Sequence, residues 1–308
     1  MPAETHPIND SLREIDDGRW LIADKLLLSR QHSAPLDQPF WDDGDGLFFV
    51  LSEPTGPTSE SRPLSKTSEI QKVYDAGGVS AVWRVGEAFI KVKEVSQPAA
   101  TREHVTLDYL RGKAHLGFDI PTVHYHAEFD KRYYIVLSRL PGPTLAEAWP
   151  GMDENAKQGY VHRITAICKQ LAAWEGDSIS GVDGGQVPDL FITKLGAEKN
   201  CDAQNLRNNC MEMGMDCSSF VFYHCDLGPG NIIVDPTTCS IGILDWETAG
   251  FVPREWIRTK FCFSSGMDLP VEDEDAQPDW RRRVSRHLGG AMGFPEVVDD
   301  WWVWWNSE

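Results

Sequence analysis

The segment that most restricts what this chain can become runs Phe222-Tyr-His-Cys-Asp-Leu-Gly-Pro-Gly-Asn-Ile-Ile-Val-Asp235 and resumes at Ile243-Leu-Asp-Trp-Glu247. Two short β-branched runs, Asn231 to Asp235 and Ser240 to Leu244, flank Pro236-Thr-Thr238 and predict a β-hairpin. Polar residues bracket it: His224, Asp226 and Asn231 before or at its start, Asp245 just beyond its end. Asn231 follows Asp226 by five residues and Asp245 follows Asn231 by fourteen. A hairpin of that length brings Asn231 beside Asp245 and turns Asp226 outward. Phosphoryl transfer asks for this set, because it needs one carboxylate to orient a hydroxyl and oxygen ligands to hold Mg²⁺ against phosphates. An Asn beside an Asp suits a hard cation that prefers oxygen and keeps part of its water.

The rest of the chain divides by periodicity. Ser11 to Ser29 carries Leu12, Ile15, Leu21, Ile22, Leu26 and Leu28 near helical spacing behind a cap at Asp10, which predicts a helix. Asp42-Asp-Gly-Asp-Gly46 reads as a solvated turn, since oxygen ligands for calcium do not follow in register. Pro54 to Thr67, rich in Pro, Gly, Ser and Thr, reads as a flexible connection. Ile70 to Tyr74, Ala81 to Val85 and Ala88 to Val92 then predict a three-stranded meander broken at Gly77-Gly78 and Gly86-Glu87. A helix from about Thr101 to Lys113 follows, then strands Thr122 to Phe129 and Tyr133 to Arg139 around the tight turn Asp130-Lys131. Beyond Pro141-Gly-Pro143 the pattern turns helical, most clearly over Asp153 to Trp174. The tail carries Trp301-Trp-Val-Trp-Trp305, expected to cover a helical lobe or line a substrate wall. The expected organisation is an N-terminal helical extension and linker over 1–69, a sheet lobe over 70–140 and a helical lobe over 141–308, an α+β fold.

Charge narrows the partners. With 29 Lys and Arg against 47 Asp and Glu, the net charge is −18, and no basic cluster offsets it locally, which argues against nucleic acid. No run approaches the ~20 apolar residues of a membrane helix, and the N-terminus lacks a basic-then-apolar leader, so a cytoplasmic setting without membrane contact is expected. Seven cysteines, odd in number and without a C-x-x-C pair, read as free thiols. Cys201, Cys210, Cys217 and His224 fit no common zinc spacing. His124 and His126 share a strand face without evident partner ligands and read as surface histidines.

At H-C-D-L-G-P-G-N-I-I-V-D, L-D-W-E-T-A-G-F-V-P and Gly181-Val-Asp-Gly-Gly185 the chain resembles the aminoglycoside phosphotransferase and choline kinase-like family, most closely its members abundant in fungi. The likeness spans roughly residues 70 to 265 and implies a protein-kinase-like fold with a small sheet lobe and a larger helical lobe clasping a nucleotide. It further implies Asp226 as catalytic base, Asn231 and Asp245 as Mg²⁺ ligands, and His224 as support for the loop. Lys91, ending the third strand of the meander, falls where the family places a lysine on the α/β-phosphates, and Glu103 resembles the glutamate that pairs with it. Gly77, Gly78 and Ser80 take the position of the phosphate loop, although no G-x-G-x-x-G is present. The linker near Ser138 to Leu140 would carry the nucleotide, with Ile233 and Leu244 against its base. Two departures stand out: Cys225 where many relatives have Gly, and Gly228 where many have His.

The implied activity is transfer of a phosphoryl group from ATP, or GTP, with Mg²⁺, to a hydroxyl of a small molecule. The acidic balance favours a cationic or neutral acceptor. The competing readings are a kinase fold kept as a binding module, or one turned to another small-molecule reaction. A protein kinase is disfavoured, because D-W-E replaces D-F-G and no A-P-E follows.

Overall fold

The computed structural model describes residues 6–54, 56, 60–194, 200–235, 237, 238 and 240–307. Two compact units emerge, Met1–Pro98 with Pro121–Arg139, and Ala99–Ile120 with Leu140–Glu308. The expected turn residue Pro236 and the seventh cysteine, Cys239, lie outside the described residues.

The first unit is built from two antiparallel sheets. Strands β1 (Leu12–Asp16), β2 (Arg19–Ile22), β3 (Leu26–Gln31), β4 (Phe40–Asp42), β5 (Phe48–Ser52) and β6 (Arg62–Pro63) form one, in the order β4-β5-β3-β2-β1-β6. Strands β7 (Gln71–Asp75), β8 (Ser80–Val85), β9 (Ala88–Glu94), β10 (Val123–Phe129) and β11 (Arg132–Ser138) form the other, in the order β10-β11-β9-β8-β7.

The helix expected over Ser11–Ser29 is therefore absent: that stretch is β1, β2 and β3. In β1 and β3 the buried residues alternate, Leu12 with Glu14 and Leu26 with Leu28, while β2 buries Trp20, Leu21 and Ile22 in succession, which is strand burial interrupted twice. Both interruptions reverse the chain. Gly18 donates to the Asp16 carboxylate at 3.2 Å, and Ala23 and Asp24 both take left-handed conformations, with φ of 48° and 58°, which a continuing helix forbids. The helical spacing was a product of reading across two turns.

The stretch Pro54–Thr67 is likewise more than a connection. Its Arg62–Pro63 pairs with β1, and Arg62 reaches the buried Glu14 carboxylate at 2.9 Å. Asp42–Gly46 is the expected turn, its carboxylates accepting the N–H groups of Gly44, Asp45 and Leu47. The two sheets share one core, in which Ile8, Trp20, Leu28 and Phe49 join Trp83, Ile90, Tyr134 and Val136. Trp41, stacked on Phe49, donates its indole N–H to the Val85 carbonyl at 2.8 Å and ties one sheet to the other.

The second unit is mostly helical: α1 (Glu103–Arg111), α2 (Leu145–Ala148), α3 (Glu154–Leu171), α4 (Ala203–Glu212), α5 (Arg254–Phe263), α6 (Asp279–Gly290) and α7 (Val298–Trp305). Helix α3 starts where Asp153 caps the Ala156 N–H at 2.7 Å and buries Tyr160, Val161, Ile164, Ile167, Cys168 and Leu171 as one stripe, while Trp174, expected to continue it, lies past the helix end and is half-buried. Strands β12 (Glu175–Gly176), β13 (Phe220–Tyr223) and β16 (Gly250–Val252) form a small sheet, and β14 (Ile232–Val234) pairs with β15 (Ile241–Ile243) as the expected hairpin. In α7 the indoles of Trp301 and Trp304 donate to the Phe191 carbonyl and the Glu212 carboxylate, closing this unit's own helices. None of the six described cysteines is in a disulfide. No helix among the described residues is long and apolar enough to cross a membrane.

Candidate active site

Strand β13, all four residues buried, delivers the chain into the loop His224–Asn231. His224 is fully buried and uses both ring nitrogens: Nε2 lies 2.8 Å from the Leu244 carbonyl, and Nδ1 accepts the Asp226 N–H at 3.2 Å. That pairing requires the neutral tautomer with the proton on Nε2. Burial lowers the His224 pKa in the same sense, by penalising the charged ring. Thr248 closes the other side, its hydroxyl donating to the His224 carbonyl at 3.1 Å. The imidazole thus holds the loop to the strand leading into Asp245.

Between His224 and Asp226 the backbone swings left-handed at Cys225, with φ of 64°, which explains why glycine suits this position. The thiol is buried, and that burial holds its pKa well above the ordinary value, so Cys225 is a packing residue, not a nucleophile. Gly228 also has a steric reason: a Cβ there would meet the Gly266 carbonyl oxygen at 3.0 Å and Met267 Cα at 3.4 Å. A histidine would need that turn to move.

Asn231 closes the loop. Its amide Nδ2 donates to the Asp226 carbonyl at 2.8 Å and to the Asp226 carboxylate at 3.2 Å. With Nδ2 committed to Asp226, Oδ1 is the side-chain atom that could serve as a ligand. The Leu244 N–H donates to the Asn231 carbonyl at 2.9 Å, so the residue preceding Asp245 is bonded to Asn231. Burial raises the Asp226 carboxyl above the usual carboxylate range; Asp245 and Asp189 push the same way, against His224 and Lys260.

Asp245 adopts φ 62° and ψ 57°, and the turn that forces this is anchored by Trp246. That indole is fully buried, stacks near Phe118 and Phe222, lies 4.6 Å from the His224 ring and donates to the Ile243 carbonyl. Glu103, the first residue of α1 and 1% exposed, accepts the Trp246 N–H at 3.2 Å. Carboxylate oxygens of Glu103, Asp245 and Glu247 lie within 4.8 Å of one another. Such a donor set, oxygen throughout, fits Mg²⁺ and does not fit a thiolate-seeking metal.

The other candidates distribute as follows. Lys91 and Lys93 lie on β9 on the face opposite buried Ile90 and Val92, with Lys91 between Val82 and Ile135 in the sheet. Gly77, left-handed at φ 64°, and Gly78 form the exposed turn between β7 and β8, and Ser80 begins β8 almost buried. The Ser138 N–H and hydroxyl are both engaged by Thr122. Leu140 and Ile233 pack against Gly242, where a Cβ would stand 2.5 Å from Leu140 Cδ1; Leu244 is half-buried.

Sequence reasoning passed over a second buried polar group. Lys260 contacts both oxygens of Asp189 at 3.1 and 3.2 Å, Asp189 also accepts from the Trp256 indole at 2.8 Å, and both charges are almost completely buried. Partners 71 residues apart leave no local spacing to find. Glu247, by contrast, stood in plain view two residues after Asp245.

Known folds place this arrangement. A thermostable mutant of aminoglycoside phosphotransferase APH(4)-Ia, solved as a ternary complex with AMP-PNP and hygromycin B, superposes with a TM-score of 0.50 at 15% identity, over 77% of this chain and 83% of that one. Its apo form gives 0.50 at 16% identity, over 77% and 84%. Aminoglycoside phosphotransferase APH(3'')-Id from Streptomyces rimosus gives 0.49 at 14%, over 76% and 90%. The two APH(4)-Ia superpositions show an α+β, protein-kinase-like fold. Residues 73–256 match the phosphotransferase enzyme family, and the chain belongs to it. No curated protein matches the sequence.

Proposed function

We propose that this protein is a small-molecule kinase, transferring the γ-phosphoryl group of ATP to a hydroxyl with Mg²⁺ held by Asn231 and Asp245. The observation that carries the reading is the Asn231 amide bonded to the Asp226 carboxylate, which gives an orienting base and a cation ligand five residues apart on one loop. Asp226 accepts the hydroxyl proton, and its raised proton affinity suits that task. His224 holds the loop, and Glu103 steadies the turn of Asp245 through the Trp246 N–H. An ion held by Asn231 and Asp245 would neutralise charge on the transferring phosphoryl group. Lys91 is assigned to the α/β-phosphates, Gly77, Gly78 and Ser80 to the phosphate loop, and Ser138, Leu140, Ile233 and Leu244 to the nucleoside, on the family pattern. GTP is the alternative donor.

The acidic balance of this chain, at −18, supports a cationic or neutral acceptor in a cytoplasmic setting, and the wording of the motifs supports kinship with the fungal members. A neighbour solved with AMP-PNP and hygromycin B supports a nucleotide and a small-molecule acceptor. The test is Asp226→Asn. General-base loss is expected to lower acceptor-dependent ADP formation by about 10²–10⁴-fold, with Mg²⁺-dependent thermal stabilisation by ATP retained. Unchanged turnover, or a wild type that ATP stabilises no better with Mg²⁺ than without, rejects the mechanism.

A further inference from the structure

The turn Gly181-Val-Asp-Gly-Gly185 has no part in the chemistry assigned above, yet two of its glycines are required by what they touch and the third by its backbone. A Cβ at Gly181 would stand 1.8 Å from Thr101 Oγ1, and one at Gly185 would stand 2.6 Å from the same atom. Gly184 takes a φ of +83°, and the Gly181 N–H closes the turn on the Gly185 carbonyl at 2.7 Å. The turn is therefore shaped to receive Thr101, which is 5% exposed. Three further bonds seat that segment: the Thr101 hydroxyl donates to the Asp183 carboxylate, its N–H to the Gln186 carbonyl at 3.2 Å, and the Gln186 N–H to the Ala99 carbonyl at 2.8 Å.

Two residues later α1 begins at Glu103. No side chain caps this helix, because its N-cap position is Arg102, so the start of α1 takes its place from the seat and not from a cap of its own. From Glu103 the connection runs directly to the Trp246 N–H, and Asp245 precedes that N–H by one residue in a left-handed conformation that needs external support.

We propose that the turn 181–185 is the seat that fixes Glu103, and that Thr101 and Asp183 are positioning residues for the metal-binding carboxylate of Asp245. The inference rests on the assignment of Asp245 as a cation ligand. Removing the Thr101 hydroxyl lets the start of α1 drift, Glu103 loses its register with the Trp246 N–H, and the Asp245 turn loosens. Outer partners of this kind typically change metal affinity by about 10–100-fold.

The test measures Mn²⁺ binding to the full-length protein by electron paramagnetic resonance with AMP-PNP present, alongside thermal midpoints without metal. Thr101→Val and Asp183→Ala are expected to weaken Mn²⁺ binding by about tenfold or more, and Thr101→Ser to stay near wild type. Asp183 is exposed, so its variant keeps the test alive if Thr101→Val fails to fold. Wild-type Mn²⁺ affinity in both variants, or a Thr101→Ser as weak as Thr101→Val, overturns the proposal. If Asp245→Asn loses Mn²⁺ while the Thr101 and Asp183 variants keep it, the seat alone is refuted. If Asp245→Asn binds Mn²⁺ like wild type, the metal assignment falls and the seat with it.

Discussion

At the scale of single residues, the loop is held by the hydrogen bonds that His224, Asp226 and Asn231 make among themselves and to the Leu244 carbonyl. His224 is the sharpest case, since its ring is used at both nitrogens and only the neutral form satisfies both. Its depressed pKa has a definite sign. In the unfolded chain histidine protonates near about 6.5; in the fold protonation is delayed to lower pH, so the stability it contributes is full above that value and is lost as pH falls through the window beneath it. The stability of the metal-free protein between about pH 6.5 and pH 5 should therefore fall less steeply in His224→Gln than in wild type. Urea unfolding at stepped pH checks this, and equal slopes contradict it. The grouping of His224, Asp226 and Asn231 was legible in the sequence because one short loop carries all of it. Asp189 and Lys260, or Thr101 and Asp183, were not, because such pairs are made by the fold across many residues and leave no spacing behind.

At the scale of elements, the difference between expectation and structure lies in punctuation. The hairpin β14–β15, helix α3 and the strands β8 to β11 were legible, because each has one unbroken periodicity between clear breakers. The turn Asp130-Lys131 was read from two residues and has both in the left-handed region, with φ of 52° and 58°. Residues 11–29 misled because Asp17-Gly18 and Ala23-Asp24 are weaker breakers than proline, and six apolar residues spread over three strands imitate one helical stripe. The linker Pro141-Gly-Pro143 shows the opposite situation, a breaker whose geometry is needed. Gly142 sits at φ +115°, and a Cβ there would stand 2.4 Å from the Val234 carbonyl oxygen. Gly142→Ala should destabilise the protein by about 1–3 kcal/mol, read as a lowered urea midpoint with unchanged slope. A midpoint within error of wild type would show that β14 can retreat.

At the scale of the whole molecule, the first sixty residues are no appendage. Ile8, Leu12, Trp20, Leu28 and Phe49 lie in the same core as Trp83, Ile90 and Val136, so the six-stranded sheet supplies one wall of a core it shares with the β7–β11 sheet. Deleting residues 1–63 should leave that apolar face open and the remaining chain insoluble or aggregated, whereas a true helical extension would come away without loss. Soluble expression and circular dichroism of the truncated chain decide the matter, and a soluble product with native strand content would refute the shared core. The region matching the family begins at residue 73, so the boundary drawn by kinship and the boundary drawn by packing differ. That difference has a consequence in time. The first unit's core needs Ile8 and also Val136, while Ala99–Ile120, made in between, belongs to the second unit. During synthesis the N-terminal strands must wait with their apolar faces exposed until residue 136 has emerged, and the start of α1 must wait longer still for its partners beyond Leu140. The first unit can close only after Arg139 is made, with Ala99–Ile120 looped out of it, so the nascent chain keeps apolar strand faces exposed for longer than a contiguous unit would.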